Sequence, residues 1–189
     1  MILGLLSDTH GRVERTALAI ALLEQAGAEA FVHCGDVGGE TVFDQFAGRR
    51  AWFVWGNTDA FDPMLERYAE SLGFTPSLVA PALIEADGRT VAVYHGHEPH
   101  FHRMIRAIQS HDLAAFGKLT DKLDYIIYGH THRAADARVG RVRLINPGAL
   151  ERAQPHTVAT LDLERDTLQF WRVDEGGDAP RRPVAFVPR

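Results

Sequence analysis

Asp8, His10, Asp36, Asn57, His95, His130 and His132 are all side chains of the kinds that bind metals, and each stands at or just past the end of an apolar run. Residues 2–7 lead into Asp8-Thr9-His10, residues 31–35 into Asp36, and residues 52–56 into Asn57. Residues 90–94 lead into His95, and 125–129 into His130-Thr131-His132. Strands that end together set their following loops side by side, so five such ends can converge on one place. Three oxygen donors and four imidazoles exceed what one tetrahedral metal uses. They suit two metals that share a bridging carboxylate.

The elements needed to position them are legible. Residues 2–7, 30–34 and 51–55 read as buried strands, alternating with helices over 13–26, 41–47 and 63–72. Gly27 stops the first helix and Pro63 starts the third. This β-α order favours parallel strands with crossover helices. The second half changes character. Residues 82–86 and 90–95 flank Asp87-Gly88, a hairpin signal, and 101–111 has helical spacing. A short strand is expected over 124–128, and strand pairs over 137–139 with 141–145 and over 157–163 with 167–173. The expected fold is an α/β four-layer α-β-β-α sandwich of two mixed sheets flanked by helices. One sheet is expected to be richer in parallel strands and the other in antiparallel strands.

Bulk properties agree with one domain over residues 1–175. The 189-residue chain is 46% hydrophobic and 24% charged, ordinary for a soluble globular protein. Residues 176–189 are expected to be a poorly ordered tail or a surface strap. The apolar start reaches Asp8 too soon for a signal peptide, and nothing approaches the roughly 20 apolar residues of a membrane span. Cys34 stands alone, which excludes an internal disulfide framework and points to a reducing cytoplasm. A net charge of −5 argues against general affinity for nucleic-acid backbone, although bound cations would make the site locally positive. A homo-oligomer is left open.

Taken singly, these signals are weak. An Asp after a strand often serves as a cap or turn residue, Gly56-Asn57 can be a plain Asx-turn, and a lone His-x-His is often structural. Their joint occurrence in one order, each at a strand end, decides. This order resembles the calcineurin-like metallophosphoesterases, with Asp8-x-His10, Gly35-Asp36, Gly56-Asn57, His95 and Gly129-His130-x-His132. It looks closest to their small single-domain phosphodiesterases of bacteria and archaea. Asn146-Pro147-Gly148 also matches that branch.

The resemblance implies a dinuclear site in which Asp8, His10 and His132 hold one metal and Asn57, His95 and His130 the other, with Asp36 bridging. It implies divalent transition metals, Mn²⁺ foremost, with Fe, Zn²⁺ or Ni²⁺ as alternatives. It also implies a phosphate-ester substrate attacked by a metal-bridging hydroxide. On this assignment Asp36 and Asn57 belong to the catalytic machinery as well as to the ligand set.

The chain departs from the wider superfamily at Thr58, where many members carry His beside the Asn. A threonine hydroxyl can hydrogen-bond a phosphate oxygen but is a poor general acid, so activated or cyclic diesters should be favoured. His97, two residues from His95, is the candidate to contact substrate and supply the proton; its plainer role is support of the loop. His100 and His102 continue this His-rich segment as a solvated helix start or a lid. Arg12 and Arg133 follow ligand pairs and could grip phosphate oxygens bidentately. His33 reads as a hydrogen-bonded core histidine, while His111 and His156 carry no signal.

The leading function is a phosphodiesterase. A phosphomonoesterase or nucleotide hydrolase with the same site is the alternative within enzymes. A non-catalytic protein-interaction scaffold, as in the retromer subunit of this fold, is the alternative outside them, and the complete ligand set argues against it. A nuclease lacks a basic face or added DNA-binding domain.

Overall fold

The structure, a computed structural model, describes residues 1–59, 63–77, 80–173 and 184–186. In chain order, β1 (Ile2–Leu6), α1 (Val13–Gln25), β2 (Ala30–His33), α2 (Glu40–Phe43) and a 3₁₀ turn (Asp44–Phe46) come first. β3 (Ala51–Val54), α3 (Pro63–Ser71) and β4 (Phe74–Ser77) complete the first half. The second half contains β5 (Ala82–Ala86), β6 (Arg89–Val93), α4 (Pro99–Gln109), α5 (Leu113–Leu119) and β7 (Tyr125–Ile127). It continues through β8 (Ala135–Val139), β9 (Val142–Asn146), β10 (Thr157–Asp162), β11 (Thr167–Arg172) and β12 (Val184–Phe186).

Two mixed sheets form, ordered β12-β11-β10-β1-β2-β3-β4 and β5-β6-β7-β9-β8. The period of 2 along each strand builds the layers. Leu3, Leu5 and Val32 of the first sheet meet Val91, Val93 and Ile127 of the second in one buried cluster between the sheets. Their neighbours face outward: Leu6, Phe31 and Phe53 pack on Ile20, Leu23 and Phe43 of α1 and α2. On the far side, Ala92, Tyr94 and Ile126 pack on Phe101 and Met104 of α4 and Phe116 of α5. The α-β-β-α sandwich expected from the sequence is therefore the fold.

Its sheet composition is a correction. The β10–β11 hairpin joins the first sheet, where β10 runs antiparallel beside β1, with Leu3 opposite Leu161. Each sheet then has parallel and antiparallel pairs in equal number among the described residues. The reason is the free edge of β1, which β10, buried along its whole length, closes. Of the tail, Val184–Phe186 adds an antiparallel strand to β11; residues 174–183 and 187–189 lie outside the described residues. No helix among the described residues is long and apolar enough to cross a membrane.

What matters for the site is direction. β1, β2 and β3 are parallel neighbours in one sheet, and β6 and β7 in the other. The pairing continues past the strand ends: the Asp8 N–H donates to the Gly35 carbonyl at 3.0 Å, and the His10 N–H to the Asp36 carbonyl at 2.9 Å. The Gly129 N–H donates to the His95 carbonyl at 2.9 Å. The loops that carry the donors are thus extensions of the ladders, and inherit their rigidity.

Candidate metal centre

All seven donor residues gather where these loops meet. Asp8 is fully buried, and its Oδ2 accepts from Ser7 Oγ at 2.5 Å and from the His130 N–H at 3.1 Å. Its Oδ1 lies 3.1 Å from His132 Nε2, without hydrogen-bond alignment. Asp36 Oδ2 stands between the two halves, 3.6 Å from His10 Nε2 and 3.5 Å from His95 Nε2. His95 Nδ1 is 2.7 Å from the Cys34 carbonyl, so that nitrogen carries the proton and Nε2 presents a lone pair. Nε2 in turn faces Asn57 Oδ1 at 3.0 Å. Two acceptors so close need a proton or a cation to share. The His10 and His132 rings lie 5.7 Å apart, and those of His95 and His130 5.0 Å apart.

This donor set fits metal ions. Buried polar atoms almost always find a partner, yet Asp8 Oδ1 and His10 Nε2 are buried with no hydrogen-bond partner among the described residues. Donor atoms of Asp8, His10 and His132 lie within 4.8 Å of one another, as do those of Asp8, Asp36 and His95. Neutral imidazole and carboxylate together are the ligands of transition metals rather than of calcium.

The backbone is bent to bring them there. Asp8, His10, Asp36, His130 and His132 all have positive φ, between 43° and 64°. Non-glycine residues seldom adopt that region, and such strain clusters at functional sites. Two glycines make the approach feasible. A Cβ on Gly56 would lie 2.0 Å from Asp36 Oδ1, and one on Gly129 would lie 2.0 Å from Ser7 Oγ and 2.8 Å from Asp8 Oδ2.

Hydrogen bonds lock the loops together. Asp59 accepts from the Gly38 N–H at 3.1 Å and the Gly56 N–H at 2.9 Å, tying the loops after β2 and β3. His33, buried, takes the Gly35 N–H on Nδ1 at 3.2 Å and meets Thr9 Oγ1 through Nε2 at 3.0 Å. The Thr9 hydroxyl passes on to the Val37 carbonyl at 2.8 Å. Burial, with a lesser coulombic influence from the direction of His95, lowers the His33 pKa to about 3, so this relay is neutral. Asn146 Nδ2 donates to the Gly129 carbonyl at 2.8 Å and to Thr131 Oγ1 at 3.1 Å, holding the loop that carries His130 and His132. Burial alone would raise the Asp36 pKa, but the Thr58 N–H at 2.9 Å and the nearby His95 and His10 reverse this and hold it below the usual range. Burial, then His95, lowers the pKa of His130.

The remaining candidates differ in exposure and in partners. Asn57, Thr58, His97 and Arg133 are exposed. The His97 ring is 5.3 Å from that of His95 and 6.3 Å from that of His130. Arg12 is held by Glu151 in a two-point pair of 2.7 and 3.0 Å, so its guanidinium already has a carboxylate partner. His100 packs on Tyr94 at 5.9 Å, and His102 is exposed. Ser7, Asp59 and Glu98 were not singled out from the sequence. Ser7 supports the Asp8 carboxylate, and Asp59 and Glu98 take backbone N–H groups, roles that residue type alone does not mark.

Comparison with known proteins agrees with this geometry. The profile of the calcineurin-like phosphoesterase superfamily domain matches residues 1–166. A phosphodiesterase of Methanocaldococcus jannaschii is 28% identical over 150 residues, covering 78% of this chain and 83% of that protein. A probable metallophosphoesterase of Bacillus subtilis is 26% identical over 183 residues, covering 92% and 91%. Among solved structures, an archaeal phosphodiesterase superposes with a TM-score of 0.75 at 23% identity, over 91% of this chain and 99% of that one.

Proposed function

The chain belongs to the calcineurin-like phosphoesterase superfamily, and from that premise we propose that it is a phosphodiesterase working with two divalent transition-metal ions. It is a phosphoric ester hydrolase. One observation carries the two-metal assignment: Asp8 Oδ1 and His10 Nε2, buried and without a hydrogen-bond partner among the described residues, stand among the other donors. Asp8, His10 and His132 would hold one ion, Asn57, His95 and His130 the second, with Asp36 between them. Mn²⁺ suits this mixture of imidazole, carboxylate and amide, with Fe, Zn²⁺ and Ni²⁺ as alternatives. When bound, such a pair activates water near neutral pH and neutralises charge on the phosphoryl and leaving oxygens. A phosphodiesterase relative supports the substrate class. A reducing compartment such as the cytoplasm suits the buried Cys34 thiol.

The substrate-facing candidates divide the remaining work. Thr58, its N–H fixed on Asp36, offers a hydroxyl to a phosphate oxygen. His97 donates an imidazole proton to the departing oxygen. Arg133 binds a phosphate oxygen from the exposed side, and Arg12 does so by exchanging its Glu151 partner for the substrate. With Asp8 and Asp36 the only anionic ligands, two divalent cations leave the centre about two charges positive, which attracts a phosphate anion.

Kinetics on monoesters, linear diesters and cyclic nucleotides test this reading. Diesters with good leaving groups should outrun alkyl monoesters, with a steep dependence on leaving-group pKa. Thr58→His should raise turnover of poor-leaving-group substrates by at most the roughly 10²–10⁴-fold that general acid catalysis supplies. His97→Ala should depress those same substrates and spare activated ones. Faster turnover of alkyl monoesters than of diesters would instead make the chain a phosphomonoesterase.

A further inference from the structure

Glu98 occupies the N-cap of α4, with φ −75° and ψ 146°, yet its side chain does not cap that helix. The carboxylate turns back instead. Oε1 accepts the His95 N–H at 2.7 Å and Oε2 accepts the Gly96 N–H at 2.8 Å. Two successive N–H groups converging on one anion form a nest, and here Gly96 at φ 120° supplies the turn. A side chain there would come within 3.1 Å of His130 Cβ, so the same glycine also lets the two ligand loops touch. The helix forgoes the stabilisation a cap gives, and the loop between β6 and α4 gains a fixed shape.

That shape aims two imidazoles. The backbone of His95 is gripped from two sides: its N–H by Glu98, and its carbonyl by the Gly129 N–H at 2.9 Å. Its ring is fixed separately through Nδ1 on the Cys34 carbonyl. With the 95–96 peptide pinned, His97 follows at a set place beside His95 and His130.

We propose that Glu98 is a positioning residue for the half of the centre built from Asn57, His95 and His130, acting through the backbone of His95 and Gly96. This rests on the two-metal reading above. Among the described residues no hydrogen bond or ion pair joins Glu98 to Asp8, His10 or His132, so the half built on them should not depend on it.

The test is Mn²⁺ binding to metal-free wild type, Glu98→Ala and Glu98→Gln, by equilibrium dialysis and by electron paramagnetic resonance of the loaded proteins. Wild type should bind two equivalents and show a spin-coupled pair. Glu98→Ala should keep one equivalent at wild-type affinity and weaken the other by about 10–100-fold, the range for loss of an outer-shell partner. The coupled signal should give way to that of isolated Mn²⁺. Glu98→Gln retains one acceptor oxygen and should lie between. Circular dichroism of the metal-free variants checks folding. Unchanged binding of both equivalents by Glu98→Ala, or equal weakening of both, overturns the proposal. A wild type that binds one equivalent sinks the two-metal reading itself, and this role for Glu98 with it.

Discussion

Asp36→Asn is expected to abolish phosphodiester hydrolysis while leaving the fold intact. The substitution keeps size and shape, so the oxygen that takes the Thr58 N–H at 2.9 Å can still do so. What it removes is the negative charge at the point nearest both His10 and His95. Two cations held close together repel strongly, and a neutral amide cannot offset that. The loss should reach at least about 10³-fold, the upper end for deleting one preorganised electrostatic element. The unfolding midpoint of the metal-free variant should stay within about 3 °C of wild type, which is roughly 1 kcal/mol for a domain of this size. His10→Ala, which strips one ligand from one half, should be milder. Wild-type turnover by Asp36→Asn would remove the ligand assignment proposed for this chain.

Gly56→Ala is expected to lose both stability and metal binding. The added methyl would lie 2.0 Å from Asp36 Oδ1 and 2.3 Å from Asp36 N, contacts that neither backbone nor carboxylate can relieve without moving. Overpacking of this kind costs about 1–3 kcal/mol, or roughly 2–12 °C in unfolding midpoint. Displacing Asp36 should add a loss of metal affinity of about 10-fold or more. The same change at Gly117 is the internal contrast. Gly117 lies inside α5, has ordinary helical φ, and a Cβ there meets nothing within 4 Å. Gly117→Ala should therefore stabilise the protein by about 0.5–1 kcal/mol. Calorimetry of the two variants reads opposite signs from one substitution. Equal and small effects would mean that the close approach at Gly56 is relaxed in solution.

β1, β2, β3, β6 and β7 were legible in the sequence because each is a short apolar run that stops at a polar donor. Asp87-Gly88 forecast its hairpin, and both residues take positive φ, 49° and 69°. β4 was missed because Phe-Thr-Pro-Ser reads against a strand; its place at the sheet edge is what makes Pro76 tolerable. α5 was missed although Asp112, which accepts the Ala115 N–H at 2.9 Å, is a recognisable cap. Gly117 in its middle and only two turns of length obscured it. Sheet membership of β10 and β11 was invisible, since local alternation says which face is buried and not which strand lies alongside.

For the candidate site the limits are similar. Residue types and order named the seven candidate donors that the structure gathers, but not the left-handed backbone of five of them, because Asp and His tolerate positive φ without requiring it. A hydrogen-bonded core His33 was foreseen and is found, but nothing revealed that Asp59 and Glu98 bind backbone N–H groups. Only the bond from the Gly38 N–H to Asp59 joins loops distant in sequence; the others close turns of two or three residues, whose shape residue type alone does not announce.

The most direct test of the central claim is a metal count. Metal-free protein should be nearly inactive, bind two equivalents of Mn²⁺ per chain, and reach full phosphodiesterase activity only as the second is taken up. Full activity at one equivalent, or activity that needs no metal, would contradict the account.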